Sequence, residues 1–324
     1  MAVVALACCL PSVLLVGCSR TSAPKTPELK VSYIENASCW PLFVALDKGL
    51  FDKAGVKVKA VKAANSTEAI NAMLAGQVDG SIENTYSALF AVEANSPGTI
   101  RLFLPCSETK QRYVSHLLLP PNSKITKLEQ LKGKKLGTYS GATQLLTLKL
   151  FVSRHMHLDP EKDVKIVQVD PSMQVQALAS GQFDALFTVE PFATTAIVKA
   201  GAKDFVPYAR GAILDPFPAG ACSVRAQVAG EKREAVRRVY EALARAADFI
   251  GRNDREARQI LAKHTKLDAV AAAKVGGYTY YQVEDFSAAD RTQVQRLADM
   301  YADAKILPKR VNAAGMFVSA QDLR

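Results

Sequence analysis

From residue 29 onward, short runs with period-two apolar spacing alternate with longer runs at helical spacing. Leu29-Lys-Val-Ser-Tyr33 alternates apolar and polar side chains and predicts a strand. Ser38 to Gly49 then turns helical, with Leu42, Val44, Ala45 and Leu46 apolar and Gly49 as the stop. Val56 to Val61 alternates again. Asn65 or Ser66 caps a helix carrying Ile70, Met73 and Leu74, which Gly76 ends before a short buried strand from Val78. The same order then recurs. His116 to Leu119 is a strand broken by Pro120 and Pro121, Leu128 and Leu131 mark a short amphipathic turn, and Lys135 to Tyr139 is a strand. Ser140 opens a helix with Leu145, Leu148 and Val152 inside. Val164 to Val169 is a strand, after which Asp170 and Pro171 start a helix running to Ser180. From Glu231 the tail is helical, with Val236, Val239, Tyr240, Leu243 and Ala247 on one face, a core pattern. Alternating strands and helices of this kind predict an α/β protein.

One repeat organises the chain. Ala72-Met-Leu-Ala-Gly-Gln-Val-Asp79 matches Ala177-Leu-Ala-Ser-Gly-Gln-Phe-Asp184 at Ala, Gly, Gln and Asp. Each segment ends a helix, turns on Gly76 or Gly181, and enters a strand. The glycine supplies the left-handed helix cap, and the Asp is placed to accept a hydrogen bond from a neighbouring loop. Two similar α/β lobes are the economical reading. Polar residues follow each copy, Asn84 and Thr85 after the first and Glu190 after the second. They fall beyond the carboxyl end of a strand, where open α/β sheets bind ligands.

Composition adds location and excludes classes. An apolar run of roughly 15 residues, signal-peptide length rather than the roughly 20 that span a bilayer, ends in Val-Leu-Leu-Val-Gly17-Cys18. A polar, Pro-spaced stretch follows to Pro27. Together these resemble a bacterial lipobox with Cys18 as the lipidated residue, although no Lys or Arg precedes the apolar core. On this reading 1–17 is a signal peptide, 18–28 a tether, and the membrane is reached through the lipid. About 300 residues remain, enough for two cores. The net charge of +10 is scattered, as in Lys57, Lys59 and Lys62 or Arg233, Arg237 and Arg238. With no aromatic-interleaved basic stripe, nucleic acid is not an expected partner. The four His and the Cys show no metal spacing, and no cofactor is expected.

Four further stretches carry a family resemblance. Trp40 to Asp52 resembles an "apolar-Val-Ala-x-x-x-Gly-x-Phe" opening, and Ala69 to Asp79 an "Ala-Ile-x-Ala-Leu-x-x-Gly-x-x-Asp" segment. Leu128 to Gly137 resembles "Leu-x-x-Leu-Lys-Gly-Lys-x-Val-Gly", and Gly181 to Pro191 resembles "Gly-x-x-Asp-Ala…Glu-Pro". Taken in order, from about Leu29 to about Ile250, they resemble the ABC-transporter substrate-binding proteins for sulfonate, nitrate, taurine and thiamine-precursor-like solutes. The resemblance implies a two-lobed type II periplasmic-binding-protein fold with two crossover hinges and a helical C-terminal part. Lobe I would comprise 29–108 and 219–324, and lobe II 109–218. The crossovers would fall near Pro105 to Arg112 and Leu214 to Gly220, with Pro216 and Pro218 punctuating a would-be strand. It further implies a monomer that traps a small solute by lobe closure and delivers it to a membrane permease, with no catalytic group of its own.

Candidate ligand contacts sit at element ends. Ser38 and Trp40 open the first helix, and Trp40 is either a ring platform or a core aromatic beside Pro41. Asn84 and Thr85 offer a donor and an acceptor, or finish a turn. Ser140, Gly141 and Thr143 open a helix whose free N–H groups suit an anion or carbonyl oxygen, or Ser140 merely caps it. Glu190 pairs with an amine or heterocycle N–H, or with a Lys of the other lobe. Asp215, in the second crossover, is a weaker candidate. Glu190 and Trp40 favour a nitrogenous or aromatic solute, while the basic charge keeps sulfonates open. Cys106 and Cys222 lie on or beside the two crossovers, either as a bridge across the hinge or as buried thiols. Two other classes share such a fold. A sensor lipoprotein would use it without transport. A pyrimidine-synthase-like enzyme would need a reactive His and a Cys-rich metal motif, whereas His116, His155, His157 and His264 are dispersed.

Overall fold

The computed structural model describes residues 26–323. The signal segment and Cys18 lie outside the described residues. The strands are β1 (Glu28–Ile34), β2 (Lys57–Ala63), β3 (Gly80–Thr85), β4 (Ile100–Glu108), β5 (Ser115–Leu119), β6 (Lys135–Tyr139), β7 (Lys165–Val169), β8 (Ala185–Val189), β9 (Lys203–Pro207), β10 (Phe217–Arg225) and β11 (Thr279–Tyr280). They form two sheets, one ordered β11-β4-β10-β3-β1-β2 and the other β7-β6-β8-β5-β9. Among the described residues no helix is long and apolar enough to cross a membrane.

The two sheets share a plan. In the first, β1 lies parallel to β2 and β3, and the returning β10 runs antiparallel to β3 and β4. In the second, β6 lies parallel to β7 and β8, and β5 runs antiparallel to β8 and β9. The sequence repeat is the local expression of this likeness. Gly76 and Gly181 take φ of 73° and 72°, the left-handed cap geometry that glycine adopts without penalty. Asp79 Oδ2 accepts from Lys30 N at 2.9 Å, and Asp184 Oδ2 accepts from Lys135 N at 2.9 Å, each pair 49 residues apart. Each carboxylate therefore satisfies an N–H within the first three residues of the neighbouring parallel strand.

Some element edges differ from the sequence reading. The helix after β6 runs Ala142–Arg154 with Gly141 as its cap, so Ser140 does not open it. Ser140 N instead donates to Val169 O at 2.7 Å, extending the sheet. Asp170 forms a tight turn, accepting from Ser172 N at 2.9 Å and Ser172 Oγ at 2.6 Å, and the helix starts only at Gln174. Pro218 lies inside β10 opposite Ser107 and beside a register shift, a position at which strands accommodate proline. Cys39, Cys106 and Cys222 are free and buried, so no bridge joins Cys106 to Cys222. Burial raises the Cys222 thiol to about 12, which keeps it protonated.

The chain passes between the sheets twice, after β4 and before β10, and one buried ion pair fastens both passages. Arg210, 2% exposed, donates from Nη1 to Glu108 Oε1 at 2.9 Å. Glu108 Oε2 accepts from Val114 N, Ser115 N and Ser115 Oγ, and Ser115 Oγ accepts from Arg210 N at 3.0 Å. Tyr208 Oη lies 2.9 Å from both Glu108 O and Asp215 Oδ1, and accepts from Phe217 N. Lys110 and Asp215 join the two passages at the surface, 3.2 Å apart. Replacing Arg210 with Ala leaves the Glu108 carboxylate buried without its counter-charge, at a cost of about 3–5 kcal/mol. Urea unfolding of Arg210→Ala against the parent protein measures this, and a change below about 1 kcal/mol contradicts the role assigned to the pair.

Candidate functional site

The carboxyl ends of parallel strands from both sheets face one another across a cavity of about 130 Å³. The first sheet brings Ile34 to Asn36 after β1 and Lys62 to Thr67 after β2. The second brings Tyr139, Ser140, Gly141 and Gln144 after β6, Pro171 after β7 and Phe192 after β8.

Local turns build this lining. Asn36 Oδ1 caps a short 3-10 turn, accepting from Ser38 N at 3.0 Å and from the Ser38 hydroxyl. Asn65 Oδ1 accepts from Glu68 N at 3.0 Å, and Glu68 Oε2 accepts from Ala64 N at 2.9 Å, which fixes the start of helix Ser66–Leu74. Gly141 takes φ of 134°, and its N donates to Gln168 Oε1 at 3.2 Å. Gln144 Nε2 donates to Tyr139 Oη at 2.6 Å, and the Tyr139 and Phe192 ring centroids are 6.5 Å apart. Gln144 is 1% exposed, and its Oε1 has no hydrogen-bond partner among the described residues. A buried acceptor of this kind is costly until a donor reaches it. The charged residues of the lining, Lys62 and Glu35, are paired with each other.

The other sequence candidates lie elsewhere. Ser38 stands behind Asn36, with its hydroxyl already engaged. Trp40 is 1% exposed, and Nε1 donates to Ala257 O at 2.8 Å, so the indole is built into the core of the first lobe. Asn84 is fully buried on β3, and its Nδ2 donates to Ser223 Oγ of β10 at 3.3 Å. Thr85 caps helix Tyr86–Asn95, with Oγ1 3.3 Å from Ser87 Oγ. Thr143 lies in the first turn of its helix, and its side chain is outside the described residues. Asp215 is occupied at the crossover.

Glu190 holds the lobes together. It accepts from Thr194 N at 3.0 Å and Thr194 Oγ1 at 2.7 Å in its own lobe, and from Gly276 N of the other lobe at 3.2 Å. A Cβ on Gly276 would lie 1.9 Å from Tyr113 O, so only glycine permits this approach. His116 places Nε2 3.5 Å from Glu190 Oε1 and Nδ1 3.1 Å from Asp204. Lys199 and Asp268 add a surface ion pair between the lobes at 2.8 Å.

Sequence reasoning passed over Asn36, Asn65, Tyr139, Gln144 and Phe192 as contacts. Their common signal was position, within five residues after a strand at the repeated end of each sheet. It also passed over Glu83, which takes a left-handed φ of 46° in the middle of β3. Glu83 is 5% exposed, accepts from Cys106 Sγ at 3.7 Å, and occupies the space that Gly220 leaves open. Burial raises its pKa. A strained, buried acid at a lobe junction is a typical place for stored strain.

Two lobes of like plan, with a cavity between their strand ends, define the two-lobed periplasmic-binding-protein fold. The chain belongs to the NMT1-like family, whose profile matches residues 22–266. A protein of Brucella abortus (strain 2308), provisionally named a binding protein, is 30% identical over 236 residues, 69% of this chain and 67% of its own. A protein of Bacillus subtilis (strain 168), provisionally named an aliphatic sulfonates-binding protein, is 25% identical over 307 residues, 92% of this chain and 89% of its own. The alkanesulfonate-binding protein SsuA of Xanthomonas axonopodis pv. citri, solved with MOPS, superposes with a TM-score of 0.75 at 20% identity, covering 92% of this chain and 100% of that one. The desulfurization enzyme DSZB has the same fold, with a TM-score of 0.69 at 15% identity, covering 90% of this chain and 97% of its own. The fold by itself therefore does not separate binding from catalysis.

Burial opposes the charged form of His116, yet hydrogen bonds to Asp204 and Glu190 outweigh it and raise its pKa to about 9. A raised histidine stabilises the fold fully below its unfolded value of about 6.5, and that contribution is lost as pH climbs through about 9. Melting temperature should fall between pH 6.5 and 9 in the parent protein and fall less in His116→Gln. Parallel slopes in the two proteins would remove His116 from the account.

Proposed function

We propose that this chain is the solute-binding component of an ABC importer and that it traps its solute in the cavity between Asn36, Asn65, Tyr139, Ser140, Gln144 and Phe192. The observation that carries the reading is the unpartnered, fully buried Gln144 Oε1 at a cavity whose walls come from both lobes. Closure of two lobes buries a solute and completes such a bond, and the free chain and the loaded chain differ in how tightly the lobes are held. The solute is small and nitrogenous or aromatic, or sulfonate-like. An N–H donor suits Gln144, and a flat apolar body suits Tyr139 and Phe192. Among the original candidates, Ser140 and Gly141 line this cavity and keep their role as ligand contacts, and Thr143 stands beside them in sequence. Trp40, Asn84, Thr85, Glu190 and Asp215 position the lobes around it.

The reading includes export and anchoring. Cys18 carries the lipid, 18–28 is the tether, and the folded body meets a membrane permease as a monomer. Tethering raises the effective concentration of the binding protein near that partner.

A thermal-shift screen over sulfonates, pyrimidines, polyamines and flavin-like rings tests the reading. A ligand present at about 100 times its Kd stabilises by about 2.7 kcal/mol, which a melt resolves. Gln144→Ala should weaken the best ligand about tenfold. A flat panel would count against solute capture altogether. Separately, Cys18→Ser should move the protein from the membrane fraction to the soluble one, and an unchanged distribution would rule out the anchor.

A further inference from the structure

A second cavity, of about 370 Å³, also takes its walls from both lobes and shares no lining residue with the first. Its walls come from three sources. The first crossover gives Arg112 and Tyr113, the second lobe gives His116 and Glu190, and the first lobe gives Trp40, Arg258 and the run Lys274 to Gly277. Gly277 keeps this wall thin, since a Cβ there would lie 3.1 Å from the Trp40 ring and 3.6 Å from Arg112 Nη2.

The charges in this cavity do not cancel. Arg258 donates from Nε to Asp254 at 2.7 Å and from Nη1 to Val275 O at 2.6 Å. Glu190 is engaged by Thr194, Gly276 N and His116, and His116 also faces Asp204. The acids are therefore committed. Arg112 and Lys274 remain, and among the described residues neither side chain has a hydrogen bond or an ion pair. His116 lines the same space, with its Nε2 turned to Glu190. Two free cations around one concave space need acceptors, and oxygen anions supply them.

We propose that this second cavity is a binding site for a small oxyanion of the sulfate or phosphate type, held by Arg112 and Lys274 and separate from the solute cleft. The anion joins the crossover to the first lobe at a point where His116 and Glu190 of the second lobe also face. Its occupancy therefore biases the same lobe junction that the solute closes. This site is independent of what the cleft binds.

Trp40 is the only tryptophan in the chain and lines this cavity, so its emission reports the site directly. Full-length protein is titrated with sodium sulfate and with sodium phosphate at constant ionic strength, neither being a collisional quencher of indole. A saturable change in Trp40 emission is expected, with the midpoint moved about tenfold or more to higher anion in Arg112→Gln and in Lys274→Gln. Lys274 is exposed, so Lys274→Gln carries the test even if Arg112→Gln folds poorly. A linear response in the parent protein, or a midpoint unchanged in Lys274→Gln, overturns the site. An oxyanion response that survives saturation of the cleft with its own ligand supports two separate sites. Loss of that response through direct competition overturns the separation.

Discussion

Both covalent crossings between the two lobes meet at the buried pair of Glu108 and Arg210. The chain crosses between the sheets only at Thr109–Val114 and Ile213–Pro216, and this pair stands where both crossings meet. Taking two charges out of water is costly, and a buried pair repays that cost only when the remaining lone pairs and protons are satisfied. Glu108 meets the condition on its side by receiving three further hydrogen bonds from Val114 and Ser115, whereas Arg210 Nε has no hydrogen-bond partner among the described residues. The pair therefore fixes the centre of the crossing at some cost on the arginine side. Gly211 belongs to the same crossing, because any side chain there would overlap the Tyr208 ring that links the two passages.

The duplicated plan was legible because it rests on backbone requirements that few residues meet. A left-handed cap calls for glycine, and the exposed N–H of a parallel strand calls for a short acceptor, so Gly76 with Asp79 and Gly181 with Asp184 stand out in the chain. The strand Lys135–Tyr139 is likewise legible in its own short stretch of sequence. Positions that depend on partners distant in sequence were less legible. Trp40 reads equally as a ring platform or a core aromatic, and the deciding N–H bond goes to a carbonyl 217 residues away, at Ala257. Glu190 reads equally as a ligand group or as a partner of a Lys on the other lobe, and its carboxylate is met by Thr194 four residues on and by Gly276 in the tail. Ser140 reads as the opener of a helix, but that helix begins at Ala142 with Gly141 as its cap, and Ser140 continues the sheet by donating its N–H to Val169 O. Local pattern therefore located the facing strand ends and the Gly141 turn, while long-range pairing decided which polar side chains are already engaged.

The basic charge shows the same division. Much of it is neutralised in surface pairs, such as Lys263 with Asp47, Lys232 with Asp79 and Arg237 with Glu234 and Glu241. Exposed pairs of this kind contribute little to stability, and they also remove those cations from any role in binding. What matters at the lobe junction is the residue left unpaired. The cleft has none, since Lys62 is held by Glu35, whereas the second cavity has two. Net charge could not have revealed this contrast, because it comes from which acids are already occupied.

The contacts that hold the lobes against each other are both polar and apolar. Glu190 receives one backbone N–H from Gly276, Lys199 pairs with Asp268 at the surface, Thr147 Oγ1 lies 3.0 Å from Tyr301 Oη, and one buried apolar cluster runs from Tyr86, Leu89 and Phe90 of the first lobe to Leu148, Phe151 and Phe187 of the second. The junction is therefore continuous with the core and is not a polar seam between two separate cores. Parting the lobes there exposes apolar surface, at a cost that scales with the area uncovered. Both cavities take their walls from the two lobes. A ligand in one biases the other only to the extent that each ligand binds one arrangement of the lobes more tightly than the other.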